Sequence, residues 1–172
     1  MLTAKQTQKI ADIDHLVTDV DGVFTDGKFV YSNLGKEYKV FGAHDSDGIR
    51  LIERLGISIH AITADRRGFG ITKKRLTDMG VSLTLVPEKE RLSWMQERYS
   101  CQDTIFVGDG VFDALVMKQG FFGIAPLNAT KITKQYAQLV LDVSGGNGVF
   151  FAVADVLYQC RGLDILSELA SD

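Results

Sequence analysis

The feature that most constrains this chain is the alternation of short apolar runs with segments of helical periodicity. Six runs have the length and composition of buried strands, and each ends near polar or glycine residues: His15–Val20, Ile57–Thr63, Ser82–Leu85, Thr104–Gly108, Phe122–Ile124 and Leu139–Leu141. Six segments are predicted as helices: Asp47–Leu55, Phe69–Met79, Lys89–Tyr99, Phe112–Lys118, Ala129–Gln135 and Gly148–Gln159. Such alternation favours right-handed crossovers and places helices on both faces of a mostly parallel sheet. The sequence therefore predicts an α/β fold, a Rossmann-like three-layer sandwich.

One segment, at about residues 24–41, interrupts this alternation. Within it, GKFVYSNLGKEYKVF alternates around Asn33-Leu34-Gly35, which is typical of a β-hairpin, and we expect it to project after the first strand. It carries more apolar side chains than a solvated hairpin needs: Phe29, Val30, Tyr31, Tyr38, Val40 and Phe41. These side chains pack either on the chain's own sheet or on another subunit, and we favour an oligomer.

Composition narrows the classes of partner. The chain has 172 residues and two prolines, which predicts one domain over residues 1–172. A net charge of −3 gives no basic excess for nucleic acid. No apolar run is long enough to span a membrane, and no signal peptide is recognisable, so we expect a cytoplasmic protein. Cys101 and Cys160 lack metal-site spacing and are predicted to be reduced thiols.

Charged and hydroxyl side chains follow four of the predicted strands. They occur in LVTDVDGVFTDG, AITAD, the charged run after Pro87 and FVGDGVFDA: Asp19, Asp21, Thr63, Lys89, Asp109 and Asp113. The carboxyl ends of parallel strands meet at one edge of a sheet, so these groups are expected to converge. Taken singly, each has an ordinary explanation. An aspartate after a strand commonly caps a helix or turn, and Lys89 alone would be a solvated surface residue.

The combination favours a phosphoryl-transfer site. Clustered carboxylates need a cation, and oxygen ligands suit Mg²⁺, which binds through one or two carboxylates and a substrate phosphate. A threonine and a lysine opposite the metal would bind the remaining phosphoryl oxygens. One aspartate is then free to act as the nucleophile.

These motifs resemble those of a known family. DVDGVFTDG, ITAD, a downstream lysine and GDGVFD are similar, in order and strand context, to the four motifs of the haloacid dehalogenase superfamily of phosphatases across nearly the whole chain. The closer resemblance is to capless phosphatases of 3-deoxy-D-manno-octulosonate 8-phosphate and of acylneuraminate 9-phosphates. The segments VFGAHDSDGIRLI and SGGNGVFFAVADVL support it. The resemblance implies a Mg²⁺-dependent phosphatase of a phosphorylated sugar acid, with a role in lipopolysaccharide biosynthesis.

The resemblance also implies roles for individual residues. Asp19 would attack phosphorus to form an aspartyl-phosphate, and Asp21 would protonate the leaving alkoxide and then deprotonate water. Mg²⁺ would be bound by Asp19, the backbone carbonyl of Asp21 and Asp109, with Asp113 behind them or as an added ligand. Thr63, Ala64 and Lys89 would bind the phosphoryl group, although Arg91 fits the helix register nearly as well. Weaker candidates for substrate contact are His44, Gly48 and Arg66.

No cap domain is expected. The interval between Asp21 and Thr63 has 41 residues, and that between Thr63 and Lys89 has 25, which the hairpin, helices and a strand fill. In the resembled family a homotetramer covers each site instead. The phosphoenzyme must be shielded from water, so we expect this chain to form a homotetramer as well.

The chain departs from the family pattern at several positions. Gly110 stands where an acid is usual, Ala64 where a glycine is usual, and Asn147 where sugar-acid relatives tend to carry a basic residue. Asp65 adds negative charge near the phosphate site, for which Arg66 and Arg67 could compensate. Two alternatives stay open. One is a non-catalytic or regulatory oligomerisation domain of the same fold, and the other is a phospho-receiver domain, against which the Gly-Asp-x-x-x-Asp motif and the length argue.

Overall fold

The computed structural model describes residues 2–170. Within this range there are eight strands: β1 His15–Asp19, β2 Val30–Ser32, β3 Gly35–Tyr38, β4 Ser58–Thr63, β5 Ser82–Leu85, β6 Thr104–Val107, β7 Phe122–Ala125 and β8 Leu139–Val140. The same residues form eight α-helices: α1 Ala4–Ala11, α2 His44–Arg54, α3 Phe69–Asp78, α4 Arg91–Arg98, α5 Val111–Lys118, α6 Lys131–Tyr136, α7 Val149–Cys160 and α8 Ile165–Leu169. A 3₁₀ turn, Glu88–Glu90, precedes α4. The predicted α/β fold is confirmed, and every predicted strand bound agrees to within one residue.

Six strands form one parallel sheet in the order β5-β4-β1-β6-β7-β8. β1 lies between β4 and β6, and Leu16 and Val17 from its two faces are fully buried in separate core clusters. The chain runs outward from β1 to β4 and β5 and then crosses over to β6. Such a reversal leaves a crevice beyond the carboxyl ends of β1 and β6, which is where open α/β sheets bind ligands.

Two terminal helices were not predicted from the sequence. In α1, Thr3 and Gln6 form a capping box, in which each side chain bonds to the other residue's backbone N–H. Of the residues in α1, Ile10 alone is fully buried, so the helix has little apolar periodicity to reveal it. The short helix α8 has no buried residue at all.

The predicted hairpin is present, with β2 and β3 antiparallel around Asn33 and Leu34. Gly35 has a φ of +119°, a conformation that favours glycine. Of the six apolar side chains noted above, Phe41 is half-buried and packs against the core. The other five are exposed, so the alternative that they pack on the chain's own sheet is not what the structure shows.

Among residues 2–170, no helix combines the length and apolar character that crossing a membrane requires. Cys101 and Cys160 are both free thiols, as predicted.

Candidate active site

Three carboxylates and one guanidinium form the bottom of the crevice, and we call them the acid floor: Asp19, Asp109, Asp113 and Arg91. Asp19 ends β1, Asp109 follows β6, and Asp113 lies in the first turn of α5. Oxygens from the three carboxylates lie within 4.8 Å of one another. Gly22 is required beside them, because a Cβ there would lie 2.1 Å from Asp109 Oδ2. Asp109 can therefore approach the loop after β1 only where that loop has no side chain.

Arg91 joins two of these carboxylates. Its Nη2 donates to Asp19 Oδ1 at 3.1 Å, and its Nη1 donates to Asp113 Oδ1. Asp113 also accepts hydrogen bonds at Oδ2 from the backbone N–H groups of Asp109 and Gly110, at 3.0 and 2.9 Å. Asp113 is thus fully buried with its oxygens occupied by protein donors. It holds Arg91 and the loop that carries Asp109, which leaves Asp19 and Asp109 facing the crevice.

The acid floor has more carboxylate than its own cation offsets. Burial raises the pKa of Asp109 to about 7, and the neighbouring Asp19 and Asp113 add to that rise more than Arg91 reduces it. Burial likewise raises the pKa of Asp19 to about 6, although Arg91 opposes the shift. Raised pKa values on adjacent carboxylates indicate a place where a cation would stabilise the charged forms.

A second group of charges lies beside the floor, and we call it the lysine rim: Asp21, Asp65, Lys36 and Lys39. Lys36 belongs to β3 of the hairpin and Lys39 follows that strand. Lys39 Nζ lies 2.8 Å from Asp21 Oδ1, donates to Asp21 Oδ2 at 3.0 Å, and lies 2.8 Å from Asp65 Oδ2. Lys36 Nζ lies 2.5 Å from the same Asp65 oxygen. Two ammonium groups thus pair with two carboxylates.

These contacts set the ionisation of the rim acids. For Asp65, burial favours the neutral form, but hydrogen bonds from Lys36, Lys39 and the Gly68 N–H outweigh it and lower the pKa to about 2. For Asp21, burial is the largest influence and raises the pKa, while Lys39 opposes the rise. Asp65 is therefore ionised at neutral pH, and of these two rim acids Asp21 is the more easily protonated.

Above the floor is an open cavity of about 510 Å³. Its lining includes Asp19 and Asp21, Thr63 and Ala64 at the end of β4, Arg91, and from the hairpin Phe29 and Lys36. Thr63 is buried, and its Oγ1 accepts a hydrogen bond from the Asp65 N–H at 3.1 Å. The hairpin therefore forms a wall of the cavity, so that no separate lid is needed to give the crevice a second side.

The structure brings together most of the residues that the sequence singled out. Asp19, Asp21, Thr63, Asp109 and Asp113 all lie at the carboxyl edge of the sheet, as predicted, and Ala64 lines the same cavity. Their roles in binding or catalysis stay predictions.

The position assigned to Lys89 needs correction. Lys89 is exposed on the 3₁₀ turn, outside the acid floor, whereas Arg91, two residues later, is buried and contacts Asp19 and Asp113. The 3₁₀ turn rotates the chain so that the second basic residue of the charged run, not the first, faces the crevice. Arg91, the alternative noted from the helix register, therefore occupies the place expected for Lys89.

Two of the three weaker substrate candidates also lie elsewhere. His44 begins α2 with its side chain 77% exposed, and it borders a separate groove beside Phe151. Gly48 is buried where α2 crosses α7, and a Cβ there would lie 2.2 Å from the Phe150 backbone. Gly48 is thus required for helix packing. Arg66 does line the cavity, but it is exposed, and the charge of Asp65 is offset by the hairpin lysines and not by Arg66 or Arg67.

The SGGNG segment packs against the loop after β1. Gly146 N–H donates to the Val23 carbonyl at 2.9 Å, and a Cβ on Gly145 would lie 2.0 Å from the Gly22 carbonyl oxygen. Asn128 links the two loops, because its amide contacts both the Gly22 carbonyl and the Gly145 N–H. The glycines therefore allow close packing that holds the DVDG loop, and Asn147 is not part of the cavity lining.

Sequence reasoning missed Lys36 and Lys39 as site residues. The unpaired charge of Asp65 was a usable signal, because an acid near a phosphate site requires a cation. The sequence pattern placed the lysines of GKEYKVF in a hairpin. It did not indicate that the hairpin lies over the site.

Comparison with models of known protein families gives no match. Among characterised proteins, the chain is 28% identical over 160 residues to the 3-deoxy-D-manno-octulosonate 8-phosphate phosphatase KdsC of Haemophilus influenzae, covering 90% of this chain and 88% of that protein.

Three of the solved structures that share the fold illustrate the likeness. A hypothetical protein from Xanthomonas campestris superposes with a TM-score of 0.84 at 29% identity, over 99% of this chain and 94% of that one. The cobalt-bound deoxy-D-mannose-octulosonate 8-phosphate phosphatase of Haemophilus influenzae gives 0.78 at 28% identity, over 90% and 92%. The Moraxella catarrhalis 3-deoxy-D-manno-octulosonate 8-phosphate phosphatase, in complex with magnesium, phosphate and KDO, gives 0.83 at 21% identity, over 96% of each chain. The last likeness concerns the fold alone.

The resemblance to phosphatases of 3-deoxy-D-manno-octulosonate 8-phosphate is confirmed. It extends over nearly the whole chain in both sequence and fold, and the relatives named for an activity are phosphatases.

Proposed function

We propose that this protein is a metal-dependent phosphomonoesterase that hydrolyses a phosphorylated sugar acid through an aspartyl-phosphate on Asp19. The observation that carries the proposal is the convergence of Asp19, Asp21, Thr63 and Arg91 on one cavity, with Asp109 beside them. A nucleophilic carboxylate, a second carboxyl group that can carry a proton, and two donors for phosphoryl oxygens are the parts that phosphoryl transfer to a carboxylate requires.

The proposed reaction has two halves. A carboxylate oxygen of Asp19 attacks phosphorus, the bond from phosphorus to the sugar oxygen breaks, and its electron pair goes to that oxygen, which takes a proton from Asp21. Asp21, now a carboxylate, takes a proton from water, whose oxygen attacks phosphorus. The bond from phosphorus to Asp19 then breaks, so that Asp19 is regenerated and inorganic phosphate leaves. Thr63 and Arg91 would donate hydrogen bonds to the phosphoryl oxygens in both halves.

The acid floor fits Mg²⁺ as the cofactor. Asp19 and Asp109 would hold it, with the backbone carbonyl of Asp21, because these carboxylates have raised pKa values while Asp113 is occupied by Arg91 and backbone donors. Bound Mg²⁺ would neutralise the floor and draw negative charge from the phosphoryl oxygens. The cobalt-bound relative from Haemophilus influenzae supports a divalent ion as the cofactor.

The substrate class is proposed from the relatives together with the cavity. The relatives with named substrates act on 3-deoxy-D-manno-octulosonate 8-phosphate, and this chain covers at least four fifths of their length. We therefore place its substrate among octulosonate 8-phosphates and nonulosonate 9-phosphates, in lipopolysaccharide or related biosynthesis in the cytoplasm. Of the hairpin side chains that line the cavity, Lys36 supplies a cation suited to the carboxylate of a sugar acid.

A hydrolysis screen tests the proposal. Purified protein is incubated with octulosonate 8-phosphate and nonulosonate 9-phosphates, with Mg²⁺ or with excess chelator, and phosphate release is measured. We expect release from one of these substrates that requires Mg²⁺ and disappears in Asp19→Asn. The matched control is Asp47→Asn, an exposed aspartate on α2 away from the cavity, which should retain turnover. Absence of turnover across the panel would instead favour a non-catalytic domain of the same fold.

We further propose that the chain acts as a single domain within a homotetramer built through the hairpin. Side chains of Phe29, Val30, Tyr31, Leu34, Tyr38 and Val40 are between 40% and 88% exposed on this small element. Contiguous apolar surface of this kind marks association sites. Light scattering should give a tetramer for the unmodified chain and a smaller species for Leu34→Lys/Tyr38→Lys. If the unmodified chain and the double variant were both monomers at micromolar concentration, the proposed tetramer would be contradicted.

A further inference from the structure

Lys39 is a fully enclosed cation beside the acid floor. Its side chain has no exposed surface, and its ammonium group contacts the Asp21 carboxylate, Asp65 Oδ2 at 2.8 Å and Thr72 Oγ1 at 2.9 Å. An ammonium has three N–H donors, and these partners match them. A buried charge is tolerated only when it is paired and hydrogen-bonded in this way, so the geometry around Lys39 is tightly defined.

The partners of Lys39 come from separate parts of the fold. Asp21 is in the loop after β1, Asp65 follows β4, and Thr72 is buried in α3. Lys39 itself is the residue after β3. The ammonium therefore ties the hairpin, two loops at the edge of the sheet and a helix to a single point beside the acid floor.

The contact with Asp21 is asymmetric. Oδ2 accepts the hydrogen bond from Lys39, whereas Oδ1, though 2.8 Å from the same nitrogen, is buried and accepts no aligned hydrogen bond from any residue that the structure describes. Both oxygens therefore lie against the Lys39 ammonium, which fixes the orientation of the carboxyl group. The Asp21 side chain stays 20% exposed and lines the cavity.

We propose that Lys39 is a positioning residue that holds the Asp21 carboxyl group in one orientation at the cavity wall, from which that group can give a proton to the leaving sugar oxygen and later take one from water. Thr72 and Asp65 orient Lys39 for this purpose. The inference rests on the proposed phosphatase reaction and adds a requirement to it, which is that the hairpin supplies the group that aims the acid–base residue. Lys39 does not itself touch the reacting atoms.

Leaving-group dependence separates this role from a structural one. An aryl phosphate such as p-nitrophenyl phosphate releases an anion stable enough to depart without a proton, whereas a simple alkyl phosphate needs the proton from Asp21. Single-turnover release of the alcohol reports the first half-reaction alone. In Lys39→Met we expect the release rate to fall about 10²–10³-fold for the alkyl ester and less than tenfold for the aryl ester, since a general acid contributes about 10²–10⁴-fold.

Lys36→Met is the matched control. Lys36 also pairs with Asp65 and is almost as buried, but the structure records no contact between it and Asp21. We expect this variant to keep the unmodified protein's ratio of alkyl to aryl rates, whatever its effect on substrate affinity. Thr72→Val is the second variant, should Lys39→Met fail to fold. Removing that hydroxyl loosens Lys39 alone and should change the rate ratio about threefold to tenfold in the same direction.

The outcomes are distinguishable. If the unmodified protein cleaves neither ester nor any sugar-acid phosphate, the proposed function is wrong. If it cleaves both and Lys39→Met or Thr72→Val loses both activities equally, the function stands and the positioning role of Lys39 is overturned. A rate ratio that shifts equally in Lys36→Met would also overturn it, because the effect would then come from Asp65 and not from Asp21.

Discussion

The acid floor and the lysine rim lie side by side, yet they handle charge in opposite ways. The floor sets three carboxylates against one guanidinium, and the pKa values of Asp19 and Asp109 are raised as a result. The rim pairs two carboxylates with two ammonium groups; the pKa of Asp65 is lowered, and Lys39 opposes the rise that burial gives the pKa of Asp21. Within one crevice, the region with uncompensated charge indicates where a metal ion belongs. The balanced region indicates which groups are held in place by the protein itself.

The largest effect should come from breaking the floor's two internal ion pairs, which share Arg91. Arg91→Met leaves the buried Asp113 and Asp19 without their partner, and removing one member of a buried pair costs about 3–5 kcal/mol. We expect urea denaturation to show a loss of that size, together with loss of phosphatase activity. Lys89→Met, two residues earlier and exposed, should change the free energy of unfolding by less than about 0.5 kcal/mol. Similar losses in the two variants would mean that Arg91 does not support the floor.

Gly22→Ala should damage the floor by displacement. A Cβ at residue 22 would lie 2.1 Å from Asp109 Oδ2, and the φ of +84° adds backbone strain for any other residue. We expect turnover to fall at least about 100-fold, because misplacing a reacting group by about 1 Å has that effect. Gly70→Ala, where a Cβ meets nothing within 4 Å, is the control and should retain activity. Steady-state phosphate release at saturating Mg²⁺ measures both.

Gly110→Asp should increase the excess of negative charge in the acid floor. The residue borders the acid floor, and a Cβ there would make an ordinary 3.5 Å contact with Asp113 Oδ2, so a side chain fits. An added carboxylate should tighten Mg²⁺ binding about tenfold, or about 1.4 kcal/mol, as measured by calorimetry. Gly70→Asp makes the same change in net charge away from the site and should leave the affinity unaltered. Equal tightening in both would indicate a long-range effect of net charge.

The smallest effect concerns acid stability of the rim. The pKa of Asp65 is lowered to about 2, below its ordinary value of 3.8, so its pairing with Lys36 and Lys39 stabilises the folded state above pH 4. That contribution is lost as the pH falls from about 4 toward 2. Urea midpoints measured between pH 5 and pH 2.5 should therefore fall less steeply in Asp65→Asn than in the unmodified protein. Parallel slopes would show that the rim pairing contributes nothing to stability.

The residues of the acid floor that follow strands could be predicted from the sequence, because a general rule about strand ends locates them. Asp19, Thr63 and Asp109 each follow an apolar strand, and the ends of parallel strands meet regardless of the details of packing. The prediction failed at Lys89 because a 3₁₀ turn of three residues changes which side of the chain faces the crevice. A strand-end rule locates a segment, but it does not fix the rotation of the residues within it.

The rim could not be predicted in the same way. The alternating pattern revealed the hairpin, but the contacts of Lys39 with Asp21 and Thr72 depend on how the hairpin folds back on the sheet, which no local pattern encodes. The helix α1 was not predicted for a related reason. Its capping box is visible in Thr3 and Gln6, but its apolar face is too small to indicate a helix. Local periodicity thus predicts elements, while their packing against one another decides the neighbours of each charge.

The most direct test of the account is to trap the covalent intermediate on Asp19. The protein is mixed with a phosphate ester that it hydrolyses, and the reaction is quenched in acid during turnover. Borohydride then reduces an acyl phosphate on aspartate to homoserine, and the modified residue is located by peptide mass spectrometry. We expect homoserine at residue 19, and its formation should depend on substrate and on Mg²⁺. Hydrolysis that proceeds with Asp19 unmodified, or with the reduced residue at another aspartate such as Asp21 or Asp109, would contradict it.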